Sequence, residues 1–452
     1  NKNCTLPAGE KKAQIRKIKD KTIPITVYIR GGLYQLSKTF TLESQDSGSE
    51  EHPITYKAYN GEEVVLTTND VYNFSDFNPL TGDMKDYLKD DVKDKIYVAN
   101  AKDIGLDPID VVPANATFAI SAPMMMLDNQ PMSLSRYPNS PVIEDWMKAD
   151  AAKIDTSTNA KPELKVYDDE LFKFTYRPED FVYYGYIAYG WCANAFTASM
   201  DRDNNVINGT SGAFYGASAD KGKPIRVFNS FEALDEPGEW YYDKSSGKLY
   251  IYPFEGTNEN SKLFVTTKAS SAISVSGAKN INIEGIRMTT SKKYVLSLTD
   301  VENITINNCV VNNSVDYAVN VDGAYNVTIK NSVVNHTGNE AIYMYGGDLE
   351  TLKPSGNRIT NNVIHDTNKL QEFNIPAVNT RGVGTRIDHN EFYNTPLMAI
   401  AFALAGNERT SVDTVIEYND FHDCLQNGVD LGVVYGGRDM RALDNDSLQL
   451  FP

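Results

Sequence analysis

Residues 272–294 read AISVSGAKNINIEGIRMTTSKKY, residues 295–317 VLSLTDVENITINNCVVNNSVDY and residues 318–340 AVNVDGAYNVTIKNSVVNHTGNE, three consecutive blocks of 23 residues that superimpose without a gap. A fixed period of this size marks a solenoid, in which each repeat buries its apolar face only by stacking on its neighbours. Ile273, Leu296 and Val319 align and are continued by Ile342, while Val275, Leu298, Val321 and Met344 follow two residues later. Alternation at period two makes these inward-facing strand positions. A second series reads Ile281/Ile283, Ile304/Ile306 and Val327/Ile329, preceded each time by Asn280, Asn303 or Asn326. Asparagine tolerates the left-handed turn conformation, and identical amides on successive coils can hydrogen-bond from above and below, so this column reads as a structural ladder. The expected fold is all-β: a right-handed parallel β-helix, a solenoid with coils of about 23 residues.

Beyond residue 341 the coil continues with longer excursions, since Ile359, Ile387 and Ile416 head strands 28 and 29 residues apart. Extra residues in a solenoid collect in loops on one face. His365, Tyr393 and His422 then fall in one column, with Asp366, Asn394 and Asp423 beside it, so titratable groups replace the valines of the plain coils. This end is read as the functional one. For the stacked His and Asp residues the structural reading leads, in which the rings stack and the aspartates hydrogen-bond the turns after their strands.

The N-terminal part differs. Residues 11–19 are expected to form a short helix. Val27-Tyr28-Ile29-Arg30 and Thr39-Phe40-Thr41-Leu42 read as two strands around Gly31-Gly32, suiting capped first coils. From residue 71 to 262 the period vanishes and aromatic-rich strand pieces take over, which reads as an inserted all-β, sandwich-like subdomain. The expected organisation is therefore 1–70 for the cap and first coils, 71–262 for the insert, and 263–452 for the helix with its functional coils. Tyr183, Tyr184, Tyr186, Tyr189 and Trp191 fall together in the insert. Alternating aromatics are ordinary sandwich core, and sugar rings also stack on such faces. Trp191 and Tyr186 are the platform candidates.

Composition narrows the function. Hydrophobic residues are 41% and charged residues 23%, as in a globular protein, and the net charge of −17 disfavours nucleic acid and anionic membranes as partners. No apolar run reaches the ~18 residues of a membrane span. Cys4, Cys192, Cys309 and Cys424 show no CxxC spacing, so zinc and redox motifs are disfavoured; free thiols are expected, with Cys4 and Cys192 the one pairing to check. The opening Asn1-Lys2-Asn3-Cys4 lacks signal-peptide character, so a mature or trimmed chain is expected.

Several phrases resemble a known group. Thr26-Val27-Tyr28-Ile29-Arg30-Gly31-Gly32-Leu33-Tyr34, Ser135-Arg136-Tyr137-Pro138-Asn139 and Gly238-Glu239-Trp240-Tyr241-Tyr242-Asp243 are similar to the large β-helix proteins related to glycoside hydrolase family 141. So is Asp430-Leu431-Gly432-Val433-Val434-Tyr435-Gly436-Gly437-Arg438-Asp439. The resemblance runs colinearly over residues 25–440. It implies a secreted, monomeric glycoside hydrolase that acts on a plant-type polysaccharide, such as fucose-containing pectin or a xylan-like glycan. Such an enzyme would use two carboxylates, one protonating the leaving oxygen and one attacking or activating water.

Asp430 is the carboxylate carried over. The second of the family pattern falls about one coil, ~4.8 Å, further on, past Pro452. Where the pattern has a histidine this chain has Leu397. Aligning Ala341, Ala377, Ala399 and Gly432 stacks Asp430 on Leu397 and Ile375, apolar neighbours whose burial of it would raise its pKa. Asp423 and His422 are the further catalytic candidates. Arg438, Tyr435, Tyr393, His365, Asp366, Trp191 and Tyr186 are the substrate-binding candidates. No cofactor is expected, with calcium open. A polysaccharide lyase using Arg381 or Arg386 as base, and a non-catalytic glycan-binding protein, are the alternatives.

Overall fold

The computed structural model describes residues 23–402 and 410–436. It is a right-handed parallel β-helix of eight coils among these residues, each contributing one strand to each of three parallel sheets. The first coil runs Ile25–Ile29, Gly32–Gln35, Phe40–Glu43, and the second runs Ile54–Ala58, Val64–Thr67, Ile273–Ser276. The eighth runs Val415–Glu417, Asp420–Phe421, Val434–Gly436. Gly31-Gly32 therefore connects Ile25–Ile29 to an additional strand, Gly32–Gln35, and not to residues 39–42 as the sequence suggested. The short helix expected at 11–19 lies outside the described residues.

The 23-residue period sets the register, since Ile273 pairs Leu296, Leu296 pairs Val319, and Val319 pairs Ile342. These side chains are at most 1% exposed, and one cluster runs from Leu42 to Ile400 as a continuous apolar column. Asn280, Asn303 and Asn326 all sit at φ between 53° and 57°. Asn303 Nδ2 donates to Asn280 Oδ1 at 2.9 Å, and Asn326 Nδ2 to Asn303 Oδ1 at 3.0 Å. A second amide ladder, Asn362–Asn390–Asn419, runs inside the corner between the first and second sheets with links of 2.9 Å.

The insert leaves the second coil after Val64–Thr67 and returns before Ile273–Ser276, so it grows from the corner between the second and third sheets. Buried Asn69 ties its neck. The amide donates to Thr290 O at 2.7 Å and accepts from the Thr267 and Lys268 N–H groups at 2.7 and 2.6 Å. Within the insert, one sheet runs from Val71–Asn73 through Lys262–Val265, Met125–Leu127 and Gln130–Leu134 to Glu239–Asp243. A second contains Val182–Tyr189, Cys192–Phe196 and Lys223–Phe228. Trp240 and Tyr242 of one sheet share a core with Val182, Tyr184 and Phe228 of the other, which packs them face to face. Cys192 and Cys309 are buried free thiols and Cys424 is a half-buried one.

Candidate functional site

The corner from which the insert grows carries the titratable column. Asn335, His365 and Tyr393 stand opposite one another on the outer face of the second sheet. The His365 and Tyr393 rings stack at 4.5 Å and those of Tyr393 and His422 at 5.1 Å, so the expected column exists. Its polar groups serve one another. His365 Nδ1 pairs with Asp366 Oδ2 at 2.7 Å, and Lys369 Nζ reaches Asp366 Oδ1 at 2.9 Å. Burial works to raise the Asp366 pKa, but the His365 hydrogen bond and the Lys369 charge outweigh it and hold the carboxyl well below the usual range. His422 lies between Asp423 at 2.9 Å and Glu391 at 3.2 Å, and these bonds raise its pKa. Asp366, Asn394 and Asp423 adopt φ of 50° to 52°, the conformation that closes each strand's turn.

From this corner residues 367–376 make an excursion into the insert. Its anchor is Glu372, which no periodicity marks. Tyr186 Oη donates to Glu372 Oε2 at 3.0 Å, Asn427 Nδ2 to the same oxygen at 3.1 Å, and Arg226 Nη2 to Oε1 at 3.0 Å. The Arg226 guanidinium lies 3.9 Å from the Trp146 ring centroid, and burial pulls its pKa down to about 10. Tyr186 is thus 1% exposed and bonded inside this joint, which removes it as a sugar platform. Trp191 is half-buried and Tyr189 is 43% exposed; their rings stack at 5.3 Å, with Tyr215 edge-on and Phe373 of the excursion 5.7 Å from Trp191.

Asp430 stands beside this hairpin. Val429 N–H donates to Gly190 O at 2.8 Å, and a Cβ on Gly190 would meet the Val429 side chain at 2.6 Å, so any larger residue there would push Val429 aside. The strand register corrects the sequence alignment by one residue. Ile400 pairs Val434 and the Ala399 N–H donates to Val433 O, so Ala399 stands opposite Val433 rather than Gly432. Asp430 consequently lies in a turn at φ 65° and is exposed, lacking the burial that the other alignment required. Arg438 and Asp439 lie outside the described residues.

The outer face of the third sheet holds a second set of groups. Tyr343, Asn379, Ala401 and Tyr435 form one column, and Tyr345 and Arg381 stand opposite each other two residues on. Tyr435 packs on Met398 and Ala401, away from the His365 column on the neighbouring sheet. The predicted residues therefore divide between two faces and the corner joining them.

At the entrance to this third-sheet face lies Glu340, which sequence reading had not singled out. It is 3% exposed, Asn379 Nδ2 donates to its Oε1 at 3.3 Å, and its Oε2 has no protein partner. Burial pushes its pKa up to about 7. Arg381 Nε donates to Asn379 Oδ1 at 3.2 Å, completing a chain from guanidinium through amide to carboxyl. Asp316, one coil earlier, accepts from Asn339 Nδ2 at 3.1 Å and is also raised by burial. The rings of Tyr294, Tyr317 and Tyr343 stack alongside at 5.4 and 5.7 Å. Of the two lyase-base candidates, Arg381 is buried on this face, whereas Arg386 pairs with Glu417 on the first sheet. Among the described residues no group of three His, Cys, Asp or Glu is placed to hold a metal ion.

Residues 249–369 and 295–437 match the family model of a right-handed β-helix region. A solved structure described as "Glycoside hydrolase" superposes with TM-score 0.52 at 12% identity, covering 97% of this chain and 93% of that one. The complex structure of XylC with xylose gives TM-score 0.39 at 12% identity, over 91% of this chain and 59% of that one. No curated protein matches the sequence. At these identities the likeness is one of fold, and the chain is a right-handed parallel β-helix protein whose second coil is interrupted by an all-β insert.

Proposed function

We propose that the chain is a carbohydrate-active enzyme, an extracellular glycoside hydrolase whose polysaccharide substrate lies along the outer face of the third sheet. The carrying observation is Glu340, a buried carboxyl with one oxygen unpartnered and a pKa near 7, one coil from Asp316. The Asp316 charge is near enough to contribute to raising the Glu340 pKa, and two neighbouring carboxyls are what glycosidic cleavage requires. Glu340, with about half of its population still protonated near neutral pH, would deliver a proton to the leaving oxygen. Asp316, more exposed, would act as the carboxylate at the anomeric carbon or on its water. Arg381 and Asn379 would hold Glu340 in place. The shared fold with a glycoside hydrolase supports this reading.

The test is product release from plant and algal polysaccharides, read by reducing ends and by ultraviolet absorbance. Saturated sugars should form, and Glu340→Gln and Asp316→Asn should each lower kcat by about 10²–10⁴-fold. Asp430→Asn should stay within about threefold, because the group is exposed and off the pair. Activity lost only in Asp430→Asn would move the chemistry to the corner beside Gly190 and Trp191, and unsaturated products would replace hydrolysis by elimination.

A further inference from the structure

Between the insert and the titratable corner lies a cleft of about 430 Å³, within the size range of small-molecule sites. Four buried polar atoms on its lining residues have no hydrogen-bond partner in the protein: His336 Nδ1, Asn427 Oδ1, Arg226 Nε and Arg136 Nε. His336 and Asn427 are 3% and 2% exposed. His336 Nε2 lies 3.1 Å from Met125 O, so Nε2 carries the proton and Nδ1 is left as an acceptor. Asn427 spends its amide N–H on Glu372, which leaves its oxygen as a second acceptor. The two arginine nitrogens are donors.

Leaving such groups unmet is costly, and a ligand presenting both donors and acceptors would recover that cost. Most of the charge is already paired, Arg226 with Glu372 and Lys369 with Asp366. A cation therefore finds no surplus negative charge, whereas hydroxyl groups, each donor and acceptor at once, fit the mixture of two acceptors and two donors. Phe228 and Trp240 add aromatic wall, suited to the apolar face of a sugar ring.

We propose that this cleft binds a neutral sugar or polyol of mono- to disaccharide size, at a site separate from the groups around Glu340. The proposal does not depend on catalysis there. It is tested by calorimetric titration of the full chain with D-xylose, L-fucose, D-galactose and D-galacturonate. At least one neutral sugar should bind saturably, and His336→Leu should weaken it about tenfold or more. Met132→Trp, which plugs the cleft from the insert side, should do the same and guards against misfolding of the first variant. Glu340→Gln should leave binding unchanged. Binding of galacturonate alone, no binding at all, or binding lost in Glu340→Gln and kept in both cleft variants would overturn it.

Discussion

The three uniform coils at residues 272–340 and the joint around Glu372 hold together in opposite ways. In the coils each side chain meets a near copy of itself above and below, Ile304 between Ile281 and Val327, Asn303 between Asn280 and Asn326. Stability there is spread over many equivalent small contacts. At the joint a single carboxylate takes hydrogen bonds from Tyr186, Arg226 and Asn427, which lie 186, 146 and 55 residues away in sequence. The repeat should therefore tolerate loss of a member better than the joint does.

Glu372→Leu should expose that contrast most. It leaves Arg226 buried without its counter-charge, and the expected loss is about 3–5 kcal/mol of unfolding free energy by denaturant titration. If the loss is under about 1 kcal/mol, the joint is no more than a surface contact.

Glu340→Gln sharpens the comparison through pH. A carboxyl raised from 4.5 to about 7 stabilises the fold below its unfolded pKa, and that contribution disappears as pH rises through the folded value. Wild type and variant should therefore have similar Tm at pH 4, while at pH 8 the variant should be the more stable by about 3 kcal/mol. Parallel pH profiles of Tm would show that Glu340 titrates normally.

Asn303→Ala should have the smallest effect. It removes two amide links and places alanine at φ 55°, a loss of about 1–2 kcal/mol with the coil otherwise intact. A larger loss that melts neighbouring coils, seen by hydrogen exchange, would mean that the ladder is itself the weak point.

The same division decides what the sequence could tell. The period predicts the register of Ile273, Leu296, Val319 and Ile342, and the ring column His365–Tyr393–His422, because stacking converts spacing directly into contact. It fails at Asp430, where a long connection follows Ala399 and a one-residue slip moves the pairing from Gly432 to Val433. Alternation in residues 183–191 marks strands without saying which sheet covers them, so Tyr186 passed for a platform although it faces Glu372. Glu340 carries no local signature at all. Its pKa depends on Asn379, Arg381 and the burial supplied by later coils, which are longer than the repeat that precedes them.

The insert and the 367–376 excursion both emerge at the corner between the second and third sheets, four coils apart. Because coils add at ~4.8 Å each, that corner works as a ruler with fixed graduations. A loop transplanted from one coil to the next would carry its side chains along the axis by one graduation without rotating them. Evolution or design can therefore tune the reach between insert and helix in whole steps while the apolar column beneath stays in register.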